Sequence, residues 1–107
     1  MRNRSVTDPT AVFNALADPT RRAVLDLLRR GTLTAGQIAD AFPISRPAIS
    51  KHVRLLRSAN LVREQRSGRN RLYRLNPQPL RAVDRWLAHY RIFWTAKLKD
   101  LKTFVES

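Results

Sequence analysis

Apolar residues recur along this chain at two spacings, and the change of period marks its elements. Val12, Phe13 and Leu16 fall at helical intervals, which predicts a first helix with Asp8 as N-cap and Pro9 as its first residue. The signal repeats at once: Asp18 caps, Pro19 opens, and Val24, Leu27 and Leu28 form a stripe. Arg29 and Arg30 suit the negative C-terminal end of that helix, and Gly31 stops it. Thr34 is the next cap, ahead of Ala35, Ile38, Ala39 and Phe42 on one face, with Pro43 as the terminator. Ser45 caps a fourth helix with Pro47 in its first turn. Ile49, Val53 and Leu56 fall at i, i+4 and i+7, flanked by Leu55 and Ala59, and predict a buried stripe. Two helices separated by little more than Pro43 and Ile44 have the layout of a helix-turn-helix.

Beyond Asn60, a candidate C-cap, the period shortens. "LVREQ" and "RLYRL" read as short strands on either side of residues 66–70, "RSGRN", where Gly68 and Asn70 are expected to take the positive φ of a hairpin turn. Tyr73 and Leu75 should face the core and Arg74 the solvent. The helix pair followed by this hairpin outlines a winged helix-turn-helix with a two-stranded wing. A last helix is expected from about Pro79 to Val105, a rod of roughly 40 Å at ~1.5 Å per residue. Leu80, Val83, Leu87, Tyr90, Trp94, Leu98, Leu101 and Val105 recur along it every three or four positions. A second stripe of Trp86, Phe93 and Phe104 lies beside the first. One small domain cannot cover both, so the helix is expected to pack on its own domain and on a second copy, as a two-fold homodimer. The organisation expected is a basic arm over residues 1–8, a mainly helical α+β winged helix-turn-helix unit over 9–76 and a dimerisation helix over 77–107, about five helices in one domain.

Charge sharpens this outline. The 107 residues hold 21 Lys and Arg against 8 Asp and Glu, a formal net charge of +13. Between Arg46 and Arg74 the only acid is Glu64, against nine Lys and Arg. A field this localised suits nucleic acid or an anionic membrane surface better than general solubility. A membrane surface is the weaker reading, because the apolar face of the fourth helix lacks bulky aromatics and is needed to hold the helix pair together. No apolar run approaches the ~20 residues of a membrane span, and the absence of cysteine removes disulfides, thiolate metal sites and cysteine nucleophiles. No Gly-rich phosphate loop or nucleophile–base pairing suggests an enzyme.

"LADPTRRAVLDLL" (16–28), "SRPAISKHVRLLRSANLV" (45–62) and "SGRNRLYRL" (67–75) together resemble the ArsR-type family of small bacterial transcriptional repressors. The resemblance runs in order from about Asp8 to Asn76. It implies a dimeric winged helix-turn-helix that binds double-stranded operator DNA, in the bacterial cytoplasm on the nucleoid. Many members release DNA on binding a metal, and here the chain departs from them. "GQIADAF" holds no cysteine, and Asp84 is followed at the second place by Trp86 rather than His, leaving only His89 nearby. One imidazole and scattered carboxylates make no tetrahedral site, so neither metal nor other cofactor is expected. The sequence names no effector. An aromatic dimer seam around Trp86, Phe93 and Trp94 is the only place it suggests for an apolar one.

On that reading the DNA-binding set is Ser45, Arg46, Pro47, Ser50, Lys51, Arg54, Arg57, Arg66, Ser67, Gly68, Arg69, Asn70 and Arg71. Arg46, Ser50, Lys51 and Arg54 are assigned to base edges, Arg and Lys favouring guanine O6 and N7. Pro47 offers either a first-turn residue or an apolar surface to a thymine methyl. Arg57, Arg66, Arg69 and Arg71 are assigned to phosphates, with Arg21 and Arg22 as helpers. The tip around Gly68, Arg69 and Asn70 should approach the minor groove. His52, beside Lys51, is expected to contact phosphate or to pack. The dimer set is Leu80, Val83, Leu87, Tyr90, Trp94, Leu98 and Leu101. The competing readings are a non-specific architectural DNA-binding protein and an RNA-binding module.

Overall fold

In the computed structural model, which describes residues 9–106, four short helices and a three-stranded sheet are followed by one long helix. The order is α1 (Thr10–Leu16), α2 (Pro19–Leu28), β1 (Leu33–Thr34), α3 (Ala35–Asp40), α4 (Arg46–Ser58), β2 (Val62–Ser67), β3 (Asn70–Leu75) and α5 (Leu80–Glu106). The side chains of residues 100, 103, 104 and 106 are outside the description, as are the basic arm and the cap assigned to Asp8.

Local chemistry accounts for most boundaries. The Asp18 side chain accepts from Arg21 N at 3.0 Å, and Pro19 fills the first turn of α2. Thr34 and Gln37 form a reciprocal capping box: Gln37 N donates to Thr34 Oγ1 at 3.1 Å and Thr34 N to Gln37 Oε1 at 2.8 Å. Ser45 accepts from Ala48 N at 3.3 Å to open α4. That helix closes in a Schellman motif, with Asn60 left-handed at φ 61°, Asn60 N donating to Arg57 O and Leu61 N to Leu56 O.

The structure also corrects several expectations. α1 starts at Thr10, and Pro9 stands before it with no side-chain cap. α3 ends at Asp40, so Phe42 reaches the core from the turn, and Ala35 is exposed. Leu55 is exposed on α4. The two-stranded wing is present as the β2–β3 hairpin, but the sheet is larger than expected: the capping segment Leu33–Thr34 doubles as β1 and extends it to the order β1-β3-β2, all antiparallel, with Leu33 opposite Tyr73 and Thr34 opposite Leu72. Two residues are too short to carry a period-2 pattern, which is why the strand left no trace in the sequence. In the hairpin, Ser67 pairs with Asn70, so the turn is Gly68-Arg69. Only Gly68 is left-handed there, at φ 63°. Glycine at the first of two central positions is the type II′ arrangement, and Asn70 is the first residue of β3 rather than a turn residue.

The core is one cluster. Val24 and Leu28 of α2, Ile38 of α3, Ile49, Val53 and Leu56 of α4, and Leu61, Val62 and Tyr73 around the sheet are buried together. Asn76 fastens the base of the wing to the end of α4: its backbone N donates to Leu61 O at 2.8 Å and its side-chain amide to Asn60 O at 2.7 Å. The base of the wing is therefore tied to the end of α4 by two hydrogen bonds from one residue.

α5 divides along its length. Leu80 and Val83 pack against the core of their own chain, so these two members of the expected dimer stripe already have an intrachain partner. Phe13 of α1 meets Trp86 edge-on at 5.4 Å, Trp86 meets Tyr90 at 5.0 Å, and Tyr90 meets Phe93 at 6.4 Å. Beyond Trp86 the helix leaves its own domain. Tyr90, Trp94, Leu98 and Leu101 are exposed, as is Ile92, which neither expected stripe included. Of the second stripe, Phe93 is exposed, and the side chain of Phe104 lies outside the described residues.

Candidate nucleic-acid interface

α4 has two unlike sides because its sequence has two unlike stripes. Ile49, Val53, Leu56 and Ala59 are buried, which turns Arg46, Pro47, Ser50, Lys51, Arg54, Arg57 and Ser58 to solvent. Ser45, also exposed, caps the helix with its hydroxyl. No acid lies on the helix. At its C-terminal end the Ser58 hydroxyl donates to Arg54 O at 3.0 Å. The wing is equally exposed from Arg66 through Arg71. Among the described residues, Arg66 and Arg69 have no hydrogen-bonded or ion-paired partner, and a Cβ built at Gly68 would meet nothing within 4 Å. The hairpin tip is thus an unobstructed cationic end.

Between α4 and the wing lies a hollow of about 250 Å³, lined by Arg46, Ser50, Arg54, Arg57, Arg71 and Tyr73 together with apolar residues of α3 and α4. Two α4 arginines at its rim are placed by neighbours. The Arg46 guanidinium lies over α3, where a Cβ on Gly36 would come 3.1 Å from its Nη2. Arg57 Nη1 stands 3.0 Å from Glu64 Oε1, and Arg71 Nε stands 3.8 Å from Glu64 Oε2. Two of the four arginines assigned to phosphates are therefore engaged with the lone acid of the segment. Tyr73 is the direct cross-strand neighbour of Glu64. Its burial and the hydrogen bond it shares with that carboxylate raise its phenol pKa above the ordinary value.

Arg21 and Arg22 are not set out as phosphate contacts. Arg21 donates from Nε to Ala15 O at 2.8 Å and from Nη2 to Asn14 O at 3.1 Å, and Arg22 Nη1 donates to Leu16 O at 2.7 Å. These are the last carbonyls of α1, where a helix runs out of its own donors; Asn14 O also accepts from the C-cap Ala17 N at 3.3 Å. His52 also turns inward: its Nδ1 is 3.4 Å from Arg21 Nη1 and 3.8 Å from Asp18 Oδ2. The backbone hydrogen bond from Arg21 holds the Asp18 carboxyl below its usual pKa against an opposing effect of burial, and the charges of His52 and Arg21 add to the lowering. Sequence reasoning missed this junction between α1, α2 and α4 because hydrogen bonds to helix-end carbonyls leave no periodic signal.

Among the described residues, no three of His, Cys, Asp and Glu come close enough to hold a metal ion, and no helix is long and apolar enough to cross a membrane.

Comparison with known proteins agrees with this geometry. Residues 16–65 match a family described as a helix-turn-helix domain. The chain is 43% identical over 79 residues to the transcriptional repressor SdpR of Bacillus subtilis, covering 74% of this chain and 88% of that one. Among solved structures, an ArsR family transcriptional regulator, RHA00566, superposes with a TM-score of 0.73 at 35% identity, covering 89% of this chain and 95% of that one. The homodimeric winged helix-turn-helix DNA-binding domain of Mb0332 from Mycobacterium bovis superposes with a TM-score of 0.65 at 28% identity, covering 85% of this chain and 90% of that one.

Proposed function

The chain belongs to the ArsR family of winged helix-turn-helix transcriptional regulators, and from that premise we propose that it is a dimeric repressor working in the bacterial cytoplasm on an imperfectly palindromic operator. One observation carries this reading. α4 keeps its apolar stripe in the core and presents an acid-free face of Pro47, Ser50, Lys51 and Arg54 beside a cationic wing. A helix so mounted enters the major groove with oriented donors, while Arg66 and Arg69 meet the flanking backbone or minor groove. The exposed stripe of Tyr90, Trp94, Leu98 and Leu101 supplies the contact between two copies. In the dimer the paired α4 helices address half-sites about 10 base pairs apart, centre to centre. Repression follows by occlusion of the promoter, with no chemical step.

Selection of bound fragments from random duplex DNA, followed by footprinting, tests this. A few sharp palindromic sites are expected. Uniform coverage would favour the architectural reading, and indifference to duplex with retention of RNA would favour the RNA-binding one.

A further inference from the structure

Glu64 is the sole acid between Arg46 and Arg74, and it sits where a phosphate-binding surface should least tolerate one. Its side chain, 21% exposed, reaches Arg57 of α4 at 3.0 Å and Arg71 of β3 at 3.8 Å. Oε1 is buried and lacks an aligned hydrogen bond although Arg57 is at ion-pair distance, so that contact is one of charge rather than hydrogen-bond geometry. A half-exposed ion pair of this kind contributes little to stability, and the fold already fixes the wing through Asn76. Its contact with the buried Tyr73 phenol gives the acid a structural partner but does not account for the convergence of two arginines on it.

What Glu64 does is tie one cation on the reading helix and one on the wing to a common point. Non-specific attraction to DNA depends on how many cations are free to displace counterions. Paired arginines contribute weakly to that attraction, and the carboxylate repels every approaching phosphate. Specific binding requires guanidinium groups held in one geometry, where bidentate contact rewards preorganisation. Both consequences favour the correct duplex over the wrong one.

We propose that Glu64 is a specificity-determining positioning residue, which holds Arg57 and Arg71 across the α4–wing hollow so that they accept phosphate only in the register operator DNA presents. This rests on the DNA-binding reading above. The test is E64Q, which keeps the side-chain size, measured on the selected operator and on a random duplex of equal length between 50 and 300 mM salt. Release of four arginines per dimer should steepen the random-duplex salt slope by up to about 3.6, at ~0.9 per contact. The ratio of operator to random affinity should fall at least about tenfold. In an R57Q/R71Q background, which lacks both arginines, E64Q should leave the slope unaltered, a readout that a structural role would not produce. An unchanged affinity ratio, or a full effect of E64Q without the arginines, overturns the assignment. A wild-type protein that selects no sequence overturns the repressor reading with it, whereas selection by the wild type with an unchanged ratio in E64Q overturns the role of Glu64 alone.

Discussion

Arg69→Ala isolates the electrostatic part of binding, because Arg69 stands at the exposed wing tip with no partner among the described residues. Nine exposed cations line α4 and the wing, and seven of them, Arg46, Lys51, Arg54, Arg57, Arg66, Arg69 and Arg71, belong to the expected DNA-binding set. Arg57 and Arg71 are held by Glu64, and on the proposed reading those on the front of α4 divide between bases and phosphates. Three to five phosphate contacts per protomer are the reasonable yield, or about 6–10 per dimer. At ~0.9 per contact the slope of log affinity against log salt is about −5 to −9, so raising salt from 50 to 200 mM should cost ~10³–10⁵ in affinity. Arg69→Ala removes one contact per protomer. The slope should become shallower by about 1.8, and the same rise in salt should then cost about 12-fold less. Fluorescence anisotropy titrations on operator and random duplexes at several salt concentrations read this directly. Operator and random DNA should lose affinity alike. A slope unchanged by the substitution, or a loss confined to the operator, would refute the phosphate role of the wing.

Lys51→Ala and Ser50→Ala should instead relax base preference, each by about 1–3 kcal/mol at the position read, as seen by repeating the selection with the variants; losses equal on all DNA would show that α4 does not read bases. Trp94→Ala or Leu98→Ala should convert the dimer to a monomer in sedimentation and abolish operator binding, and a persistent dimer would contradict the assigned seam. Arg21→Ala should destabilise the fold by about 1–3 kcal/mol in urea unfolding, because the carbonyls of Asn14 and Ala15 lose a charged donor, while the wing-tip salt dependence stays as it was. Asp18→Asn keeps a cap acceptor but removes a carboxyl whose folded pKa is depressed. A depressed carboxyl stabilises above its unfolded pKa, and that contribution is lost as pH falls through the folded value. The wild-type advantage should therefore be full at pH 6 and fade below the ordinary value of 3.8; a difference constant from pH 6 to pH 3 would rule it out.

What could be read from the sequence is what repeats or caps. The stripes of α2, α4 and α5 and the caps at Asp18, Thr34, Ser45 and Asn60 are local signals, and the structure contains each of them. What could not be read depends on meetings between distant residues. The pairing of Leu33 with Tyr73 joins distant positions through a two-residue strand, of which only Thr34, as a cap, left a local signal. Arg21 and Arg22 look the same as Arg66 and Arg69 in composition, and only the proximity of α1's last carbonyls gives them a different task. Glu64 could be recognised as the lone acid, but its grip on Arg57 and Arg71 needs the wing folded against α4. The α5 stripe likewise is one continuous pattern in sequence, yet Leu80 and Val83 face their own core.

These differences change how the net charge should be understood. A value of +13 suggests a uniformly sticky polycation, but part of it is committed internally. Arg21 and Arg22 close α1, Arg57 and Arg71 converge on Glu64, and Arg91 pairs with Asp84 along α5. The cations left without such a partner on the candidate interface, Arg46, Lys51, Arg54, Arg66 and Arg69, stand on α4 and the wing, two elements locked together by Asn76. Charge that is concentrated and rigidly mounted discriminates between duplexes in a way that diffuse charge cannot, because a misplaced phosphate then loses several contacts at once. A repressor needs that discrimination against the many competing sites of a genome. On this argument, moving an exposed arginine from the wing to the outer face of α5 would preserve net charge and solubility yet lower the ratio of operator to random affinity.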